Sequence, residues 1–115
     1  MREYALVALG SAVGGAARYA AYALMARASG FPWGTLAVNY VGSFVIGWVA
    51  ATGPSQTMRL LLMTGICGGF TTFSAFSLDT ISMMRDGLAG RALAYVAASL
   101  AGCLAATWLG FRLRP

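Results

Sequence analysis

The sequence has no histidine, no lysine and only three carboxylates, Glu3, Asp79 and Asp86. Histidine and carboxylates are the side chains that most often transfer protons in enzymes. Glu3 lies at the terminus, Asp86 precedes a glycine in a turn signal, and Asp79 lies toward the end of an apolar segment. None of them is expected to be buried beside a proton-transfer partner, so the sequence argues against an enzyme.

Cysteine is also scarce, and both copies, Cys67 and Cys103, lie in apolar segments. A disulfide framework or a zinc site needs more cysteine, or histidine in addition. We therefore interpret both as small apolar packing residues. The eight basic residues are all arginine and are scattered along the chain. This distribution argues against a nucleic-acid-binding face and is typical of residues that flank membrane spans.

Charged residues make up only 10% of the chain, whereas hydrophobic residues make up 59%. Soluble domains carry about 25% charged residues, so the composition indicates an all-α integral membrane protein. A span of the hydrocarbon core needs about 20 apolar residues. Turn signals at Phe31-Pro32, Gly53-Pro54 and Asp86-Gly87 separate four predicted transmembrane helices. These helices cover about residues 4–28, 34–52, 58–84 and 88–111, and together they form a single predicted domain.

The arginines are almost evenly divided between the two sides of this predicted bundle. Four spans place Arg2, Arg59, Arg112 and Arg114 on one side and Arg27, Arg85 and Arg91 on the other. Orientation normally follows a clear excess of positive residues on the cytoplasmic side. The balance therefore predicts a chain that inserts in both orientations and pairs as an antiparallel dimer. The alternative is a weak bias that still fixes one orientation.

Residues 65–77 of the third predicted span are poorly suited to an unbroken helix. Glycine occupies positions 65, 68 and 69, and the β-branched residues Thr71 and Thr72 follow. Glycine inside a helix costs about 1 kcal/mol relative to alanine, and irregular backbone at membrane depth is tolerated where protein buries it or it lines a wet cavity. Carbonyls freed at such a break can bind a cation, and freed amides or hydroxyls can bind an anion. We therefore predict a broken helix and an ion site here.

Two polar residues are expected deep in the first two spans. Arg18 is either an anchor that bonds carbonyls at a helix end or part of a positive vestibule that concentrates anions. Asn39 lies near the middle of the second span. Its amide either bonds a neighbouring helix or offers its N–H groups to a passing anion. The residues alone leave both pairs of alternatives open.

Polar side chains recur every four residues along the fourth span, at Tyr95, Ser99, Cys103 and Thr107. This spacing places them on one face of a helix, and each of them can donate a hydrogen bond. They form either a polar track across the membrane or a set of side chains that bond carbonyls of their own helix.

Phe73 and Phe76 are three residues apart, so a helix would direct both rings the same way. They either pack together or present the positive edges of their rings to an anion, which would bind there weakly enough to move on. Proton-coupled exporters of organic cations need an acid embedded in the membrane, and no predicted span has one at its middle. Hydrogen-bond donors, ring edges and one buried arginine therefore favour an anion.

At these positions the sequence resembles the Fluc family of fluoride channels, also called CrcB proteins. The resemblance covers nearly the whole chain and rests on three motifs: Gly14-Gly15-x-x-Arg18-Tyr19, Gly34-Thr35-x-x-x-Asn39-x-x-Gly42-x-Phe44 and Gly68-Gly69-Phe70-Thr71-Thr72-Phe73-Ser74-x-Phe76. It implies an antiparallel, dual-topology homodimer with two fluoride pores. It also implies a structural sodium ion on the two-fold axis, bound by backbone carbonyls of both subunits, those of Gly68 and Thr71.

The resemblance also implies pore roles by motif position. The family's phenylalanine box, pore asparagine and arginine correspond to Phe73 and Phe76, Asn39, and Arg18. Its polar track corresponds to Tyr95, Ser99 and Cys103.

The chain departs from the family pattern at Cys103, where a serine is usual. A thiol is a weaker hydrogen-bond donor than a hydroxyl, so conduction could be slower. Thr107 could compensate for this change, and Thr72 and Ser74 could contribute further hydroxyls.

The interpretation we adopt is passive, selective conduction of fluoride through a multi-pass protein of the bacterial cell membrane. The resemblance alone implies that this conduction exports fluoride from the cell. The expected partners are fluoride, lipid and a second copy of the chain, with sodium as a structural cofactor and no nucleic acid. Two other classes stay open: a proton-coupled antiporter of the small multidrug type, and a non-transporting membrane subunit that only holds a partner.

Overall fold

The computed structural model describes residues 1–25 and 30–114, and no strand occurs within these two ranges. The elements are α1 (Arg2–Met25), α2 (Trp33–Ala51), α3 (Gln56–Met58), a π-helix (Arg59–Cys67), α4 (Gly68–Phe70), α5 (Phe73–Arg85) and α6 (Ala89–Leu113). The third to fifth of these elements follow one another without interruption. We call them together the 56–70 helix.

Turn residues read from the sequence separate the long helices. Gly53 follows the end of α2 with a φ of 66°, and Gly87 follows the end of α5 with a φ of 79°. Glycine adopts positive φ without the steric cost that other residues meet. The Ser55 side chain accepts a hydrogen bond from the Met58 N–H at 3.2 Å, and this N-cap fixes the start of the 56–70 helix.

Within the described residues, three segments are long and apolar enough to cross a membrane: Trp33–Ala51, Gln56–Arg85 and Ala89–Leu113. α1 is also long, with 24 residues, but it contains Arg2, Glu3 and Arg18. The helices begin and end close to the limits predicted for the four spans. Residues 26–28 of the first predicted span lie outside the described residues, and the single domain of four spans stays a prediction.

α1 packs along the 56–70 helix through contacts between glycines. A Cβ atom on Gly65 would lie 2.8 Å from the Cα atom of Gly10, and one on Gly69 would lie 2.6 Å from the carbonyl oxygen of Ser11. Such distances leave no room for a side chain, so the two backbones touch. This contact holds the end of the 56–70 helix firmly against α1.

α2 and α6 form a second extensive helix pair, beside that of α1 with the 56–70 helix. Gly47 of α2 lies against the backbone of Thr107, and Tyr40 lies across Gly102 of α6. The Tyr40 hydroxyl also donates to the Ala98 carbonyl at 2.7 Å. The pair therefore combines close backbone packing with a hydrogen bond that fixes the register of α2 on α6.

The buried core lies where α5 meets α2 and α6. Tyr95 is completely buried there, and its ring centroid is 5.2 Å from that of Phe76. Large apolar side chains on the outer face of α6 point away from this core, including Leu93 and Leu104, each 72% exposed. An apolar outer surface of this kind suits contact with lipid tails.

Candidate functional site

A cavity of about 350 Å³ opens beside the end of the 56–70 helix, and we call it the main cavity. α2, the 56–70 helix, α5 and α6 all contribute to its walls. Its lining residues are Asn39, Gly42, Ser43, Ile46, Met63, Cys67, Gly68, Thr71, Thr72, Phe73, Phe76, Ser99, Leu100 and Cys103. Within the part of the chain that the structure describes, this lining carries no carboxylate and no arginine, so its polar side chains are neutral.

Two residues beside the main cavity leave helical geometry. Thr71 has a φ of −89° and a ψ of 160°, and Thr72 has a φ of −153° and a ψ of 118°. We call them the extended pair after this backbone conformation. They connect the 56–70 helix to α5. The Thr72 hydroxyl accepts a hydrogen bond from the N–H of Ala75 at 3.0 Å, so the second residue of the pair also caps α5.

Asn39 fastens the extended pair to α2 with two hydrogen bonds. Its Oδ1 atom accepts from the Thr72 N–H at 2.8 Å, and its Nδ2 atom donates to the Thr72 carbonyl at 3.2 Å. The structure therefore places the amide against a neighbouring segment, one of the two alternatives that the sequence left open. An amide has a second N–H, and Asn39 lines the main cavity, so its donation to an anion stays a prediction.

The carbonyls at the end of the 56–70 helix meet different partners. In a continuous helix the Thr72 N–H would donate to the Gly68 carbonyl, but here it donates to Asn39. The Gly69 carbonyl accepts from the half-buried Arg18 side chain, whose Nε atom lies 3.1 Å away. Arg18 thus makes the anchoring contact that was one of its two interpretations. Its vestibule role stays a prediction, and the main cavity is lined by other residues.

Phe73 and Phe76 both line the main cavity, with ring centroids 5.2 Å apart and planes tilted by 45°. Their surroundings differ, because Phe73 is 71% exposed whereas Phe76 is 7% exposed. Phe76 is held on its other side by Tyr95. The rings therefore pack together and also border the cavity, so both sequence interpretations of the pair remain compatible with the geometry.

The four polar residues of α6 divide into two groups. Ser99 and Cys103 line the main cavity. The Thr107 hydroxyl instead donates to the Ser43 carbonyl of α2 at 3.0 Å, and the Tyr95 hydroxyl donates to Asp79 at 3.1 Å. The recorded hydrogen bonds of Tyr95 and Thr107 therefore run to other segments rather than to carbonyls of α6. The structure therefore brings Ser99 and Cys103 to the main cavity, whereas Tyr95 and Thr107 are not part of its lining.

The Ser99 hydroxyl is buried without a partner. Ser99 is 5% exposed, and within the described residues its Oγ atom has no hydrogen bond. Leaving a buried polar group unpaired costs about 1–3 kcal/mol, so native proteins rarely do so unless a ligand or water completes the site. The hydroxyl of Thr72, which also lines the main cavity, lies 3.2 Å from that of Ser74.

A group around Asp79 was missed by the sequence analysis. Asp79 is half-buried and accepts from Tyr95, and it lines a second cavity of about 260 Å³ together with Tyr22, Phe31 and Thr35. A signal for this contact was present in the sequence. Positions 79 and 95 lie eight residues on either side of Gly87, so a tight hairpin brings them to the same height.

Comparison with known proteins points to one family. A model of the family described as "CrcB-like protein, Camphor Resistance (CrcB)" matches residues 5–111. The chain is 50% identical to the fluoride-specific ion channel FluC of Opitutus terrae in an alignment of 119 residues. This alignment covers 96% of this chain and 90% of that protein. It is 47% identical to the FluC protein of Agrobacterium fabrum, with coverage of 98% and 96%, and 46% identical to that of Methylobacillus flagellatus, with coverage of 98% and 94%.

These similarities run through almost the whole length of this chain and of each relative. Together with the long apolar helices, they identify a multi-pass protein of the cell membrane. The chain belongs to the CrcB family.

Proposed function

We propose that this protein is a passive, fluoride-selective channel that lets fluoride leave the cell. The main cavity carries this proposal: its lining includes the Asn39 amide, several hydroxyls and the rings of Phe73 and Phe76, and among the described residues it has no charged side chain. Fluoride is small and strongly hydrated, so a pore must replace its water with good donors while binding it weakly enough to release it. The relatives named fluoride-specific ion channels support this assignment.

The assembly we propose is an antiparallel, dual-topology homodimer in which the third span is broken at the extended pair. Its support is the surface beside the main cavity. Phe73 is 71% exposed and Gly68 is also exposed, although both lie at the proposed ion pathway. A second copy would cover this surface and convert an open cavity into an enclosed pore.

A structural sodium ion at the centre of this dimer also belongs to the proposal. The residues fit a hard cation, because backbone carbonyls supply the oxygen ligands that such ions prefer. In a continuous helix the Thr72 N–H would donate to the Gly68 carbonyl, but here it donates to Asn39. Both Gly68 and Thr71 line the main cavity. Two copies related by a two-fold axis would offer four such carbonyls, and the ion would tie the two subunits together.

A second candidate, the proton-coupled antiporter, is favoured by one observation. Asp79 is a half-buried carboxylate in α5, and its hydrogen bond to Tyr95 places it beside the second cavity. A membrane-embedded acid is what coupling to protons requires. Asp79 is, however, separate from the lining of the main cavity, so we rank this function second.

Ion efflux from liposomes that carry the purified protein tests the proposal, with fluoride and chloride followed separately. We expect fast fluoride efflux, negligible chloride efflux and no requirement for a proton gradient. The Phe76→Ile variant, which removes one of the two rings, is expected to lose most fluoride efflux, and its melting curve shows whether the variant is folded. Proton-dependent flux of an organic cation would favour the antiporter instead. A well-folded dimer without any flux would favour the scaffold subunit.

A further inference from the structure

The contact between Arg18 and Gly69 places a positive charge at the end of the 56–70 helix. Arg18 Nε is 3.1 Å from the Gly69 carbonyl oxygen, and the side chain is half-buried. The carbonyls in the last turn of a helix all point toward its C-terminal end, which carries a partial negative charge. Gly68 precedes Gly69 directly, so the guanidinium lies within one helical turn of the proposed cation ligand.

The backbone around Arg18 leaves little freedom to move this charge away. Arg18 belongs to α1, and α1 touches the 56–70 helix directly at Gly10, Gly14 and Ser11. The same contact surface includes Gly69 itself, where a Cβ atom would lie 2.6 Å from the Ser11 carbonyl oxygen. The guanidinium therefore bonds the carbonyl end from a helix whose backbone is already in contact with the 56–70 helix.

From this arrangement we infer that Arg18 is a specificity-determining residue, which keeps the carbonyl site of Gly68 and Thr71 selective for monovalent over divalent cations. This inference rests on the proposed structural sodium. Sodium and calcium have nearly equal radii and both take oxygen ligands, so neutral carbonyls alone discriminate poorly between them. A fixed positive charge repels a divalent ion twice as strongly as a monovalent one.

The antiparallel dimer would strengthen this effect. Two copies bring two Arg18 side chains to the shared site, one on each side of the two-fold axis. The lining of the main cavity carries no carboxylate within the described residues, so no acidic side chain there offsets the repulsion between Arg18 and a divalent ion. The second role of Arg18 is to occupy the Gly69 carbonyl, which removes that oxygen from the set available to the ion.

Thermal unfolding of the purified dimer tests the inference without any transport measurement. Wild-type protein is titrated with sodium chloride or calcium chloride, with N-methyl-D-glucamine chloride keeping the ionic strength constant. We expect sodium to raise the melting temperature and calcium to have little effect. We expect the Arg18→Gln variant to be stabilised by calcium, with a half-maximal concentration about tenfold or more below the highest concentration that leaves the wild type unaffected.

Arg2→Gln is the matched control. Arg2 also lies on α1 and also bonds the 56–70 helix, through the Thr57 hydroxyl at 2.9 Å, but at the opposite end of that helix. Its neutralisation should leave the preference for sodium unchanged. Arg18→Lys, which keeps the charge, should keep the preference as well.

The outcomes separate the two proposals. If sodium does not stabilise the wild-type dimer, the sodium site is wrong and this inference falls with it. If sodium stabilises the wild type and Arg18→Gln rejects calcium equally well, the inference alone is overturned. If Arg18→Gln yields no folded protein, the wild type and Arg18→Lys still test the inference: stabilisation of either by calcium at the concentrations at which sodium acts overturns it.

Discussion

The two sides of the extended pair are built in opposite ways. On the α1 side, glycines bring the two backbones into direct contact, and Arg18 donates a hydrogen bond to the Gly69 carbonyl in the last turn of the 56–70 helix. On the side of α2 and α6, the main cavity stays open, and the buried Ser99 hydroxyl has no partner among the described residues. The difference indicates that the first side holds the irregular backbone in place. The second side is then free to bind and release an ion.

Asn39 lies between these two sides. It bonds both backbone groups of Thr72 and also lines the main cavity. Extended backbone inside a membrane protein needs such partners, because an unpaired N–H or carbonyl is costly in an apolar medium. The comparison therefore predicts that mutations on the α1 side lower stability, mutations in the cavity lower conduction, and mutations of Asn39 do both.

The largest expected effect comes from filling the contact between α1 and the 56–70 helix. Gly65→Ala would place a Cβ atom 2.8 Å from the Gly10 Cα atom, and we expect it to lower the free energy of unfolding by about 3 kcal/mol or to prevent folding. Gly15→Ala is the control, since no atom lies within 4 Å of its Cβ position. Chemical unfolding in detergent measures both, and equal stabilities would contradict the contact.

Asn39→Ala should combine loss of stability with loss of conduction. The change leaves the buried N–H and carbonyl of Thr72 without the bonds seen here, so the free energy of unfolding should fall by about 1–3 kcal/mol. Fluoride efflux from liposomes should fall by about 100-fold, because the extended pair and a cavity donor are lost together. Wild-type stability together with wild-type fluoride efflux in the Asn39→Ala variant would show that neither the extended pair nor the main cavity depends on this residue.

Ser99→Ala should separate stability from conduction. Its hydroxyl has no partner within the described residues, so removing it should leave the free energy of unfolding unchanged or raise it by about 1 kcal/mol. Fluoride efflux should fall by about tenfold if this hydroxyl replaces water around the ion. Thr107→Val is the control, because the Thr107 hydroxyl bonds the Ser43 carbonyl. It should lower stability by about 1 kcal/mol and leave efflux unchanged.

Cys103→Ser should give the smallest effect, an increase in fluoride efflux of about twofold to fivefold. Cys103 lines the main cavity and is partly exposed, and a hydroxyl is a stronger donor than a thiol. The free energy of unfolding should change by less than about 1 kcal/mol. A fall in efflux would indicate that the thiol serves the pathway better than a hydroxyl would, and unchanged efflux would indicate that the ion does not pass this residue.

Much of the helical organisation could be predicted from local signals. Turn residues such as Gly53 and Gly87 adopt the positive φ values that end helices, and apolar runs mark the long segments between them. Several residues of the main cavity were also recognisable, because Asn39, Ser99 and Cys103 are polar groups within apolar sequence, whereas lining residues such as Ser43 and Met63 were not predicted. A polar residue in such a segment needs a partner or a function.

What each polar residue bonds could not be predicted, because spacing along one helix does not reveal the neighbouring helix. Tyr95 and Thr107 fit the four-residue repeat as well as Ser99, yet they bond Asp79 and the Ser43 carbonyl. The role of Asp79 was missed for the same reason. Its partner Tyr95 lies across the α5–α6 hairpin, so the contact follows from the equal distances of the two residues from Gly87 and not from the spacing along either helix.

The most direct test of passive, selective conduction is the reversal potential of the current through a planar bilayer that contains the purified protein. With a tenfold fluoride gradient and equal chloride on both sides, we expect reversal near the fluoride equilibrium potential, about 59 mV from zero. We also expect that a pH gradient leaves this potential unchanged. Reversal near zero, or reversal that follows the pH gradient, would contradict the account.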